Sequence, residues 1–397
     1  MFSGIVKAID PLGSIYKFHD YLTAFNMEWL IFLSLPLAII LCLAEFISGF
    51  AVISGIRRKE GILGVFLLML FFTPLTLVDA ITNQVSDCGC FGDAIHLTNW
   101  QTFWKNVVLL IPVIIIFKDR KLITPVSIKN EWQRVIAFAL LFVFFCIGNL
   151  NNLPLIDFLP YKIGVRIADQ MIIPEGAEPD QYMTTFIYEK NGEQREFTLD
   201  NYPADDTTWV FVDQKSILLK KGYEPPIHDF AITTTEGIDL TNQILANDGY
   251  TLLMISKKLN EADSIKLHRG FETGRFVEGA GIDFFVLTAS SSSDILKQMN
   301  GLQFCTADET TLKSMLRANP GFMLIRDGKI EGKWSSNTLP NDEWFKNMKT
   351  STGNNARLIF SIFYITVGLY IILLILAINV RKYFSSTPII ISKLFKI

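Results

Sequence analysis

The sequence predicts an α-helical membrane bundle joined to an α/β domain, with a β-rich lead-in, displayed on the non-cytoplasmic side. Three observations predict this. The 397 residues are 50% hydrophobic with a mean hydropathy of +0.32, and the apolar residues gather in five near-continuous runs. Lys and Arg concentrate on alternate connections between those runs. Residues 154–355 have ordinary globular composition, with strand and helix signals alternating in their second half. A charged fraction of 19% is low for a soluble chain, and a net charge of −3 gives no basis for a nucleic-acid partner. The N-terminus lacks the basic region and long apolar core of a cleavable signal peptide.

Crossing a bilayer takes roughly 20 helical residues. The expected spans are Trp29–Ile53, Ile62–Ile81, Trp100–Phe117, Trp132–Leu150 and Ala356–Val380, with Trp29, Trp100, Trp104 and Trp132 at their ends. Arg57, Arg58 and Lys59 follow the first span. Lys118, Arg120, Lys121, Lys129 and Arg134 follow the third, and Arg381, Lys382, Lys393 and Lys396 lie in the tail. The opposite side carries only Lys7, Lys17 and Lys105. The positive-inside rule then predicts a multi-pass protein of a bacterial inner membrane, with residues 154–355 extracytoplasmic and the C-terminus cytoplasmic.

Within the first span, Ser34, Ala38, Cys42, Glu45 and Gly49 fall on one stripe about 80° wide. Small residues allow close helix packing, and the carboxyl must face the bundle. Glu45 either lines a proton or quinone path or is hydrogen-bonded in a structural bundle. It lies about sixteen residues beyond Trp29, roughly 24 Å, which predicts a role separate from the external loops. Pro36, Pro74 and Pro112 read as packing kinks.

The external loop after the second span contains Asp87-Cys88-Gly89-Cys90-Phe91-Gly92-Asp93. Two cysteines separated by one glycine can approach disulfide distance on an oxidising face, and so tight a ring favours a reducible couple over a staple. Metal ligation is the alternative, but only His96 lies near and no tetrahedral set is complete, so no metal is expected. Cys42, Cys146 and Cys305 read as core residues.

The segment Phe2–Gly13, the span with Glu45, Phe72–Thr76, and Asp87–Asp93 through Trp100, Phe103 and Asn106 together resemble the DoxX superfamily. The similarity is to its MauE-like branch, known from methylamine utilisation. The resemblance covers residues 1 to about 120 and implies a four-helix membrane bundle. It further implies a link to disulfide maturation of a periplasmic enzyme, or to thiosulfate or quinone chemistry. Only Met1–Val6 precede Lys7, so the resemblance implies a shortened first helix.

In the lead-in, strands Thr184–Glu189 and Gln194–Thr198 flank the hairpin signal Asn191-Gly192, and Trp209–Asp213 is a further strand. Beyond Pro226 come strand His228–Thr233, a helix near 240–246, strand Tyr250–Ser256 and a helical stretch over 260–278. Strand Phe284–Ala289, helix Ser293–Met299, strands Phe322–Arg326 and Ile330–Trp334 and a helix from Asn341 complete the order. This order, with Pro226–Phe230 and Ala318-Asn319-Pro320-Gly-Phe, resembles the thioredoxin-like fold of the peroxiredoxin and TlpA type. The resemblance implies a cis Asn319–Pro320 bond and a peptide-holding wall around Asn319 and Pro320. The C-x-x-C position carries Ser256–Ser264 without cysteine, so thiol chemistry in this domain is not expected.

The expected organisation is a bundle over 1–120, a cytoplasmic loop and additional span over 121–153, a lead-in over 154–225 and a thioredoxin-like domain over 226–350. A C-terminal span over 356–380 and a tail over 381–397 follow. Two functions fit. One is thiol–disulfide or quinone-linked redox maturation through Cys88 and Cys90. The other is a non-enzymatic membrane anchor whose outer domain binds a periplasmic client or partner subunit. Membrane lipid is a partner in both.

Overall fold

The computed structural model describes residues 1–348, apart from 86–87, 123–129, 180, 200, 202, 204–205, 221, 229 and 299–300. The expected span Ala356–Val380 and tail 381–397 lie outside the described residues.

Six helices form the N-terminal bundle: α1 (Phe2–Ile9), α2 (Pro11–Ala24), α3 (Ser34–Ser54), α4 (Arg58–Thr82), α5 (Asn99–Lys118) and α6 (Glu131–Asn151). Four stretches, Glu28–Ser54, Arg58–Thr82, Asn99–Lys121 and Glu131–Asn151, are long and apolar enough to cross a membrane, within a few residues of the expected spans. Phe71, Leu140 and Phe144 are 64%, 66% and 75% exposed on these helices, an apolar surface suited to lipid. The chain is a multi-pass membrane protein.

Local chemistry explains the helix ends. Thr98 and Gln101 form a reciprocal capping box that starts α5. The α3 C-cap is Gly55 at φ 76°. The prolines do not break their helices. Pro36 stands in the first turn of α3, where its missing N–H is already without a partner, and α4 and α5 run through Pro74 and Pro112.

The main departure is α1. Lys7 counts in the sequence as a loop cation, yet α1 packs on the small-residue stripe of α3 and Lys7 is buried. A Cβ at Gly4 would lie 2.8 Å from Cys42 O, and one at Gly49 would lie 2.5 Å from Met1 Cβ. Ala8, Cys42, Phe142 and Cys146 share one buried cluster, and Asn149 Nδ2 donates to Ala8 O at 3.1 Å. α1 is only eight residues long and the partner of Lys7 lies 38 residues away, so nothing local marks this burial.

Strands β1 (Gln181–Lys190), β2 (Glu193–Thr198) and β3 (Val210–Lys220) form an antiparallel sheet in the order β2-β1-β3. The β1–β2 hairpin turns at Asn191-Gly192, both at positive φ, as that dipeptide predicts. Strand β3 extends seven residues beyond the expected Asp213.

The second sheet contains β4 (Thr233–Thr234), β5 (Tyr250–Ile255), β6 (Asp283–Thr288), β7 (Phe304–Thr306), β8 (Gly321–Arg326) and β9 (Lys329–Ser335), in the order β4-β7-β6-β5-β8-β9. β5–β6 and β6–β7 are parallel; β4–β7, β5–β8 and β8–β9 are antiparallel. Helices α7 (Thr241–Leu245), α8 (Ser264–Gly279), α9 (Ser292–Gln298), α10 (Glu309–Met315) and α11 (Asp342–Asn347) connect and cover it. Period-two alternation sends Leu253 and Ile255 into one core and Leu252 and Met254 into the other.

Three expectations change here. β7 and α10 were not legible, because three-residue and seven-residue elements are too short for a periodic signal. Ile227, Phe230 and Ile232 are buried as expected of a strand, but only Thr233–Thr234 join the ladder. Leu153, Tyr161 and Ile167, placed by the sequence at or before a separate lead-in, enter the core of the second sheet. Lys333 fastens that segment by donating to Asp157 Oδ2 at 2.6 Å and Tyr161 O at 2.9 Å.

Candidate functional site

The cysteine loop joins α4 to α5 and is fastened at both ends. Asn99 Nδ2 donates to Val85 O at 2.9 Å and to Asp79 O at 3.3 Å. The Gly92 amide closes a turn on Gly89 O at 3.0 Å. Gly89 has φ 62°, and a Cβ there would lie 2.8 Å from Lys17 Cγ, so glycine is required on both backbone and steric grounds.

Within this loop Cys88 Sγ and Cys90 Sγ are 3.2 Å apart, and both side chains are partly buried. The hydrogen bond from Cys88 lowers the Cys90 thiol to about 6, assisted by the charges of Lys105 and Lys7 against the effect of burial. Cys88 moves the opposite way, through its hydrogen bond with Cys90 and its burial. The two thiols titrate as a pair, with Lys105 and Lys7 favouring the thiolate at Cys90. Lys105 also lies over the Phe91 ring at 4.5 Å. Among the described residues no group of three or more His, Cys, Asp and Glu could hold a metal ion.

Glu45 is paired inside the bundle. Lys7 Nζ donates to Glu45 Oε1 at 2.6 Å, with side-chain exposures of 7% and 10%. The same ammonium acts on Cys90 and lies 5.6 Å from the Phe72 ring centroid. Lys7 on α1 thus pairs with Glu45 and adds its charge to the surroundings of Cys90, a connection that a count along α3 alone could not reveal.

Asn319 and Pro320 lie at the end of the α/β domain that meets the bundle. The Asn319–Pro320 bond is cis, as expected. Asn319 Oδ1 accepts from Ser256 Oγ at 2.9 Å and Nδ2 donates to Lys258 O at 3.3 Å, so the side chain is engaged inside the domain, and Pro320 is buried. Neighbouring residues reach the bundle instead. Arg317 Nε donates to Asp10 Oδ2 at 2.8 Å, Nη2 donates to Asp93 Oδ2, and Nη1 donates to Lys313 O at 2.6 Å. Lys257 Nζ donates to the Tyr16 hydroxyl at 2.6 Å. The sequence offered no signal for Arg317, since its carboxylate partners are 224 and 307 residues away. Cys305 is fully buried in β7, and burial pushes its thiol up to about 11, as suits a core residue.

Burial, with the nearby charges of Arg317 and Lys313, lowers the Lys257 amine to about 7 against the opposing pull of Asp10 and Glu309. The folded state thus resists a proton that the unfolded chain binds up to its ordinary value of 10.5. From this group, stability rises between about pH 7 and that ordinary value and is lost again as pH falls. Melting temperatures of wild type and Lys257→Met, compared at about pH 7 and about pH 10, are expected to show a larger alkaline gain in wild type. Equal gains would remove Lys257 as the source.

Residues 1–118 match the family described as Methylamine utilisation protein MauE, a region that runs from α1 to the end of α5 and contains Lys7, Asp10, Glu45 and the cysteine loop. Residues 182–221 match a Domain of unknown function (DUF8463), which coincides with the three-stranded sheet. Comparison with curated proteins and with solved structures finds no match.

Proposed function

We propose that the protein is a membrane-bound thiol–disulfide redox component in which Cys90 and Cys88 form the working pair. The observation that carries this reading is the 3.2 Å contact between two sulfurs of unequal acidity on a loop bordered by Lys7 and Lys105. As the pair is oxidised, a sulfur–sulfur bond forms and two electrons and two protons leave. The acceptor is either a protein disulfide, reduced to two thiols, or a quinone, reduced to its quinol. Glu45 and Lys7 are suited to protons on the membrane side of that exchange. The name of the family matched by residues 1–118 suggests a setting in methylamine utilisation.

The charge asymmetry of the connections supports an inner-membrane location with the cysteine loop and the α/β domain outside. A thioredoxin-like reading of the α/β domain is supported by its mixed sheet order. After β5 that domain carries Ser256-Lys257-Lys258, with no thiol at the position where a thioredoxin attacks. This favours a second reading for the domain alone, as a binding or scaffolding module that holds the redox loop or a partner rather than performing exchange.

The test is alkylation of intact cells with a membrane-impermeant maleimide, before and after mild reduction. Cys88 and Cys90 are expected to be the two residues that gain label. Cys90 labelling should be half-maximal near its low midpoint, present above it and lost as pH falls through it. Cys88→Ala, which removes the hydrogen-bond partner of Cys90, is expected to raise that midpoint towards an ordinary thiol. Full labelling under oxidising conditions without reductant would sink the redox reading.

A further inference from the structure

The α/β domain does not merely follow the bundle in the chain. One of its ends is seated on the bundle by three basic side chains. Lys257, Lys313 and Arg317 place their head groups 5.2, 5.1 and 5.3 Å from the ring centroid of Tyr16 on α2. Arg317 is only 5% exposed, and all three guanidinium nitrogens have acceptors. Two of those acceptors are carboxylates from separate bundle segments. Asp10 closes the end of α1, three residues after Lys7, and caps α2 by accepting the Gly13 amide at 3.0 Å. Asp93 ends the cysteine loop, three residues after Cys90.

Without a cation between them, Asp10 and Asp93 would repel in a site largely withdrawn from water. The Arg317 fork holds both, and so holds α1 against the loop. We propose that this end of the α/β domain is a built-in dock for the cysteine loop, with Arg317 as the positioning residue that holds the loop of Cys90 against the end of α1, which carries Lys7. A domain without a thiol of its own at that face then has a defined role, which is to fix the reactive pair of its own bundle. This rests on the reading of Cys88 and Cys90 as a reactive pair. The groups that face Cys90 and set its titration are Cys88, Lys105 and Lys7, with Asp93 three residues further on.

The experiment uses the full-length protein in membranes and has two arms. The first acylates lysines with an amine-reactive ester and reads Lys257 against Lys258 by mass spectrometry. The docked face predicts that Lys257, 6% exposed, is protected in wild type while Lys258, with a side chain 41% exposed, is labelled. Equal labelling of the two overturns the dock, whatever the cysteines do. The second arm follows the pH profile of Cys90 alkylation in Arg317→Met and Arg317→Lys. Arg317→Met is expected to raise the Cys90 midpoint by about one pH unit, because the loop leaves Lys7. Arg317→Lys, which keeps the charge but loses the fork, should shift it less. A wild-type midpoint in an assembled Arg317→Met protein overturns the positioning role. Should wild-type Cys90 and Cys88 fail to oxidise while Lys257 stays protected, the redox reading falls and the dock stands.

Discussion

Lys7→Met is expected to destabilise the bundle by about 3–5 kcal/mol, the range for breaking one partner out of a buried ion pair. Methionine fills nearly the same space, so lost packing is a minor part of the effect. The main part falls on Glu45. Its Oε1 loses the 2.6 Å contact with the ammonium, and its Oε2 already has no hydrogen-bond partner among the described residues. A carboxylate left alone inside a bundle must take up a proton or admit water. Combining Lys7→Met with Glu45→Gln removes the stranded charge and is expected to recover much of the loss, so the double-mutant cycle isolates the pair. Thermal unfolding in detergent supplies the four stabilities. A loss below about 1 kcal/mol in Lys7→Met, with no recovery in the double variant, would show that the pair is solvated. The same variant is expected to raise the Cys90 midpoint, since it deletes one of the two cations that favour the thiolate.

Gly4→Val is expected to be of comparable size, roughly 3 kcal/mol, through overpacking. The added carbon atoms would be directed at Cys42 O and Phe46 N, which a first Cβ alone meets at 2.8 and 2.9 Å. Both are backbone atoms of α3, so no rotamer change relieves the contact and α1 must move away. That movement carries Lys7 from Glu45. Gly148→Ala on α6 is the control, since nothing lies within 4 Å of its added Cβ. It should be neutral or slightly stabilising through helix propensity. The two variants compared by thermal unfolding separate close approach from glycine loss in general. Equal behaviour would mean that α1 does not pack as described.

Much of this molecule was legible because its signals are local. Runs of about twenty apolar residues can only span, and four of the five expected spans coincide with helices among the described residues. The stripe Ser34, Ala38, Cys42, Glu45 and Gly49 announced a close helix partner, although not which one. Asn191-Gly192 announced its hairpin through a backbone preference that needs no tertiary help. The cysteine spacing placed two sulfurs together for the same reason, with one residue between them.

Readable from residue order are the features encoded within about twenty residues: spans, the small-residue face, turns, and the closeness of Cys88 and Cys90. The tertiary structure alone decided which charges meet. Lys7 joins Glu45 across 38 residues, and Arg317 joins Asp93 across 224 and Asp10 across 307. No local pattern specifies such pairs, because a buried charge is tolerated only where a partner of opposite sign arrives from elsewhere in the chain. Read along the chain, Lys7 is a loop cation and Arg317 falls in no element that the sequence announces. Folding buries both, and it is burial that turns them from solvated side chains into the contacts that hold α1, the cysteine loop and the α/β domain together.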